Sequence, residues 1–85
     1  MLKVGDIISI NEKLITKGEY YEILKSSIGM FNIKRMLEIR NKKIVRIGSG
    51  YNNTISRVEK TYKFEGVNFL VFESEILKEN QLELF

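Results

Sequence analysis

Cysteine, histidine, tryptophan and proline are all missing from these 85 residues. Without cysteine, neither a disulfide staple nor a thiolate metal site can hold so small a chain together. The want of histidine removes the usual general base near neutral pH and the commonest transition-metal ligand. A nucleophile would have to be Ser, Thr or Lys, with Asp, Glu or Lys as its base. Yet Asp6, Glu12, Glu19, Glu22 and Glu38 are scattered along the chain. Only Glu73 and Glu75 stand close together, and they read as solvated surface carboxylates, at best a weak hard-cation site. The expectation is a non-enzymatic protein with no cofactor, no metal and no small-molecule substrate.

Long apolar runs are lacking too. No stretch approaches the roughly 18 residues that span a bilayer, and Asp6 interrupts the apolar start "MLKVGDIISI" with no small-residue cleavage site after it. Neither a signal peptide nor a membrane partner is expected, which makes the cytoplasm the default address. Glycine is sparse at six residues. The "GSG" at Gly48–Gly50 lacks the Gly-Lys-Ser/Thr continuation of a phosphate loop and reads as a flexible hairpin tip.

What remains is an ordinary globular composition, 44% hydrophobic, in a chain long enough for one domain. Its charge is divided unevenly. Residues 1–33 balance to zero. Residues 34–63 set Lys34, Arg35, Arg40, Lys42, Lys43, Arg46, Arg57, Lys60 and Lys63 against Glu38 and Glu59, a net +7, and residues 64–85 carry −4. A chain split this way presents one basic face and one acidic end.

The hydropathy pattern predicts five or six short strands. "VGDIISI" is rich in β-branched residues and reads as the first. "YYEILKSS" alternates Tyr21 and Ile23 against Glu22 and reads as a strand, with a short helix as the alternative because Tyr20, Ile23 and Leu24 also fit helical spacing. "GMFNIKRMLEI" places Phe31 and Ile33 opposite Asn32 and Lys34, again period two. "KKIVRIG" predicts a strand stopping at Gly48. Phe64 and Val67 flank Glu65-Gly66 as a tight two-residue turn, and the apolar run from Val67 to Phe72 predicts a central strand covered on both sides. Turns are expected at Gly18, Gly29, Asn41, Gly48–Gly50 and Gly66.

The fold class this implies is mostly β, a small antiparallel barrel or bent sheet over residues 1–73, with a C-terminal helix or docking tail over residues 74–85 in which Ser74 is the cap. The opening "VGDII" strand, the polar excursion and the meandering strands resemble Src-homology-3-like barrels over roughly residues 3–73. That architecture hosts many unrelated roles and implies no function.

Two features bear on partners. The basic stretch "IKRMLEIRNKKIVRIGSGYNNTISR" gathers Lys34, Arg35, Arg40, Lys42, Lys43, Arg46 and Arg57 into one or two adjoining hairpins, with Tyr51 beside the glycines. Mobile cations meet phosphates, and an exposed ring offers a stacking platform for single-stranded nucleic acid. An acidic protein surface satisfies the same charges, and basic strands also guard sheet edges. The second feature is "QLELF". Gln81, Leu82, Leu84 and Phe85 resemble the pentapeptide with which bacterial replication and repair proteins dock on the DNA sliding clamp; Glu83 stands where Ser or Asp is more usual. That resemblance implies a partner-binding tail, with Leu82, Leu84 and Phe85 as buried anchors and Gln81 fixing the register. The bland alternative is a last amphipathic turn packing Leu82 and Phe85 onto the domain. The competing functional readings are a clamp-docking protein of bacterial or phage origin with a basic face for DNA or protein, a phage or mobile-element inhibitor of a host defence enzyme resembling anti-CRISPR proteins, and a generic nucleic-acid-binding β-barrel.

Overall fold

The computed structural model describes residues 2–77. Strand β1 (Ile7–Ile10) leads into a short helix α1 (Glu12–Thr16) and a long, interrupted helix α2 (Glu19–Met36). Four strands follow: β2 (Lys42–Asn52), β3 (Arg57–Phe64), β4 (Leu70–Phe72) and, after a 3-10 turn at Glu73–Glu75, β5 (Ile76–Leu77). They form one antiparallel sheet in the order β4-β3-β2-β1-β5. The sheet must be rolled. β4 and β5 stand at its two ends, yet a single 3-10 turn, rising about 2 Å per residue, joins them. In a flat sheet four steps of about 4.8 Å would separate those ends. The expected small antiparallel sheet is therefore present, and helix fills nearly as much of the described chain as strand.

α2 overturns the strand expected over "GMFNIKRMLEI" and, over "YYEILKSS", takes the helical alternative in place of the strand. Its covered residues are Tyr20, Tyr21, Leu24 and Ile28, then Ile33, Met36 and Leu37, the three-and-four spacing of an amphipathic helix. Of the residues that suggested alternation, Tyr21 and Ile33 are covered but Ile23 and Phe31 point outward, 42% and 72% exposed. Glu19 and Glu22 in the first turn and Lys34 and Arg35 in the last suit the helix dipole. Gly29 breaks the helix at φ 83°, ψ 161°, a conformation essentially restricted to glycine. Near the break the Asn32 side-chain amide donates to the Ile28 carbonyl at 2.7 Å.

Four of the expected turn positions do bend the chain, with positive φ at Gly18, Gly29, Asn41 and Gly66. The Glu65-Gly66 turn closes as expected, the Val67 N–H donating to the Phe64 carbonyl at 3.1 Å. Three other expectations are corrected. β2 does not stop at Gly48 but runs on to Asn52, and the β2–β3 turn lies at residues 53–56. The run from Val67 yields only the short β4 at one end of the sheet order, because the chain first recovers from the Gly66 turn. The helix or tail expected from Ser74 begins as the 3-10 turn and β5, whose Ile76 and Leu77 pair with Ile10 and Ser9. Residues 78–85, including the rest of that expected tail, lie outside the described residues.

Every principal element contributes to one core: Ile10 from β1, Ile15 from α1, Leu24, Ile33 and Met36 from α2, Ile44 from β2, Tyr62 and Phe64 from β3, Val71 from β4 and Ile76 from β5, with Ile39 from the α2–β2 connection. Among the described residues no helix is long and apolar enough to cross a membrane.

Candidate functional site

The basic stretch is organised by the β2–β3 hairpin. Its register runs unbroken from Arg46↔Lys63 to Asn52↔Arg57, after a bulge between Ile44 and Arg46 that sets Val45 outside the ladder. Directly opposed residues share a face. One face carries Ile47 and Tyr62, then Ser49 and Lys60, then Tyr51 and Val58; the other carries Arg46 and Lys63, Gly48 and Thr61, Gly50 and Glu59, Asn52 and Arg57.

The buried face changes along the hairpin. Near Phe64 the Ile47–Tyr62 face turns inward, with Tyr62 and Phe64 buried. Toward the tip it is the opposite face that is covered, where Asn52 and Thr61 are buried, while Tyr51 and Val58 stand 54% and 68% exposed. Gly48 and Gly50 permit this. A Cβ on Gly48 would sit 3.2 Å from Thr61 Oγ1, and one on Gly50 would sit 3.3 Å from Thr61 Cγ2. The "GSG" is thus a mid-strand trough filled by Thr61, not a hairpin tip.

A buried polar cluster covers that side of the tip. The Tyr20 hydroxyl, from the first turn of α2, donates to Glu75 Oε2 at 2.8 Å. Asn52 Nδ2 donates both to Tyr20 Oη at 3.0 Å and to Glu59 Oε2 at 2.7 Å. The Ser74 hydroxyl donates to Glu59 Oε1, and Arg57 lies 3.6 Å from the same oxygen. The Phe72 N–H donates to Glu75 Oε1 at 3.0 Å, and the Thr54 N–H to Asn52 Oδ1 at 3.0 Å. Each carboxylate oxygen accepts at least one donor, and no buried side-chain polar atom of the described residues is orphaned. Glu75 is only 2% exposed, which corrects its expected place among solvated carboxylates. Burial raises its carboxyl pKa; the bonds from Phe72 and Tyr20 oppose that rise. Burial likewise holds the Tyr20 hydroxyl far above its ordinary range, as it does Tyr62, whose hydroxyl donates to Glu73 at 2.8 Å. A cluster sealed in this way bolts the hairpin tip to α2 and to the turn before β5.

The expected cationic residues separate into two groups. Lys34 and Arg35 are not in a hairpin but in the last turn of α2, where Arg35 donates to Asn68 at 3.0 Å and stacks 5.4 Å from the Phe69 ring centroid. Arg40, just before β2, pairs with Glu12 at 3.2 Å, and Arg57 faces Glu59. Arg35 and Arg40 thus fasten elements of the fold together, whereas Arg57 pairs within β3. Lys34, Lys42, Lys43 and Arg46 are exposed and make no such bond within the described residues. Lys42 and Lys43 oppose Ile8 and Ile7 of β1, and Arg46 opposes Lys63 of β3. Sequence reasoning found Tyr51 but missed Val58 and Lys60, because only a turn at residues 53–56 sets them beside it, and missed Ser49 because Gly48–Gly50 was read as a hairpin tip. The local signal that marks that turn is Asn53, a residue type that favours turns, four positions before β3 begins. Gln81, Leu82, Leu84 and Phe85 lie outside the described residues. No protein-family model, curated protein or solved structure matches this chain.

Proposed function

We propose that the protein works by binding rather than catalysis, in the bacterial cytoplasm, docking on the DNA sliding clamp through Gln81–Phe85 and presenting its basic sheet surface to DNA. The observation that carries this reading is the pentapeptide, in which Gln81, Leu82, Leu84 and Phe85 fit the docking pattern and Glu83 occupies the position that stays wet. Three apolar anchors, each worth about 1.5–3 kcal/mol on burial before ordering costs, supply the main favourable contribution of a short peptide contact. The body supports the reading by offering Lys42, Lys43 and Arg46 exposed on β2. Tethering to a ring threaded on DNA raises the local DNA concentration, so weak cationic contacts become effective.

Titration of the full chain against purified clamp, by surface plasmon resonance, decides the docking half. Saturable binding that falls at least about tenfold in Leu82→Ala and Phe85→Ala, each anchor being worth more than about 1.4 kcal/mol, supports it. Undiminished binding after removal of Gln81–Phe85 overturns it. Clamp-free recovery of a nuclease or another defence protein on the immobilised chain would favour the inhibitor reading instead.

A further inference from the structure

We propose that the exposed tip face of the β2–β3 hairpin, built on Tyr51 and Val58 with Ser49 and Lys60 beside them, is a stacking platform for single-stranded nucleic acid. This deepens the basic-surface half of the function proposed above and does not depend on clamp docking.

The first ground is shape. Tyr51 and Val58 are directly opposed, so their Cβ atoms stand about 5 Å apart, and both side chains are more exposed than covered. A ring beside a short aliphatic side chain on one sheet face offers a continuous surface. An unpaired base has a free π-face to lay on it; a base inside a duplex has none.

The second ground is charge. β2 and β3 together carry Lys42, Lys43, Arg46, Arg57, Lys60 and Lys63 against a single acid, Glu59. Glu59 lies on the opposite face with its side chain 7% exposed, and Asn52, Ser74 and Arg57 occupy its oxygens. Tyr51 therefore has a cation, Lys60, on its own face and no carboxylate of the hairpin there to repel a phosphate. A partner must supply anions and an aromatic face together, and single-stranded nucleic acid supplies both in every nucleotide.

The third ground is stiffness. Asn52, the residue after Tyr51, is buried and fixed by bonds to Tyr20, Glu59 and the Thr54 N–H. The platform is thus held from behind before a ligand arrives, which lowers the ordering cost of binding.

The experiment is fluorescence anisotropy of labelled oligothymidylate, oligouridylate and a duplex, each of about 12 nucleotides, a length within the usual single-domain site size, titrated with the full chain at several salt concentrations. Binding of one or both single strands ahead of the duplex is expected, and the two arms tell DNA from RNA. Tyr51→Ala should weaken it about tenfold with the salt slope unchanged, while Tyr51→Phe retains it. Lys60→Gln should lower the salt slope by about one. Phe31→Ala, a still more exposed ring on α2, should leave it unaltered. Circular dichroism confirms that each variant is folded. Tyr51→Ala binding like the parent, preference for the duplex, or equal displacement by polyglutamate would overturn the platform; the last would assign the face to acidic proteins. Loss of clamp binding on deleting Gln81–Phe85, with oligonucleotide binding intact, separates the two proposals.

Discussion

Replacing Tyr20 by phenylalanine removes one oxygen and leaves the ring in place, so its cost reports the buried polar cluster alone. Two bonds are lost. The hydroxyl no longer donates to Glu75 Oε2, and Asn52 Nδ2 loses one of its two acceptors. A bond to a charged group contributes about 1.5–3 kcal/mol, and an amide proton left without a partner costs about 1 kcal/mol or more. Together they predict a loss of roughly 2.5–4 kcal/mol near neutral pH. A domain of this size has about 4–13 kcal/mol in all, so the variant folds but melts some 10–30 °C lower. The loss depends on pH in a definite direction. Burial raises the Glu75 pKa in the folded state, so its native carboxyl holds its proton longer than the unfolded one. Its contribution to stability is then fullest below the ordinary value of 4.5 and declines as pH rises through the raised one. The Tyr20 bond lowers that folded value; without it the decline is steeper and extends to higher pH. Urea denaturation at about pH 4 and about pH 7, followed by circular dichroism, should therefore show a penalty of about 1–2 kcal/mol in acid that grows toward neutrality, since a neutral carboxyl makes the weaker bond. A penalty below about 0.5 kcal/mol at neutral pH, or one that shrinks as pH rises, would refute the reasoning.

The glycines give further expectations. Gly29→Ala forces a side chain into φ 83°, ψ 161° and should cost about 1–3 kcal/mol in the same denaturation assay, although the space around it is open. Gly50→Val pushes three heavy atoms toward Thr61 and Phe72 and should cost a similar amount through overpacking; thermal melts compared with Gly66→Ala, strained but unpacked, separate the two causes. Breaking the exposed Arg40–Glu12 pair with Glu12→Gln should change stability by less than about 1 kcal/mol, measured by urea midpoint.

The elements that carry a strong local signal were legible. β1 was announced by its β-branched residues, and the Phe64–Val67 turn by Glu65-Gly66. α2 was not, because Tyr21, Ile23, Phe31 and Ile33 alternate with polar neighbours as a strand would. Periodicity reports burial only if the apolar residues are the buried ones, and Ile23 and Phe31 are not. The hairpin failed for a related reason. A strand whose inward face changes midway shows no single period, and Gly48 and Gly50, needed to admit Thr61, carry the same local signal as a turn. Of the candidate site, the charges and Tyr51 could be named from sequence. Which arginines are committed to Glu12, Glu59 and Asn68 depends on contacts across 28, 2 and 33 positions of chain, and two of those spans no local pattern reports.

The change of face along the hairpin also explains how so small a sheet can have both a core and an open surface. Between β1 and β2 the chain inserts two helices, and the first turn of α2 brings Tyr20 to the side of the tip that β1 and β5 do not cover. Had that side remained bare, Asn52 and Glu59 would hold their polar atoms toward water and nothing would fix the tip's orientation. With Tyr20, Ser74 and Glu75 closing it, the tip is anchored from one side only. Tyr51 and Val58 can then remain exposed without the hairpin fraying, because the stability of that segment comes from the polar bonds behind them and not from their own burial. Tyr51→Ala should accordingly leave the melting temperature nearly unchanged, whereas Asn52→Ala, one residue away, should lower it by 10 °C or more, for a cost of about 2 kcal/mol or above.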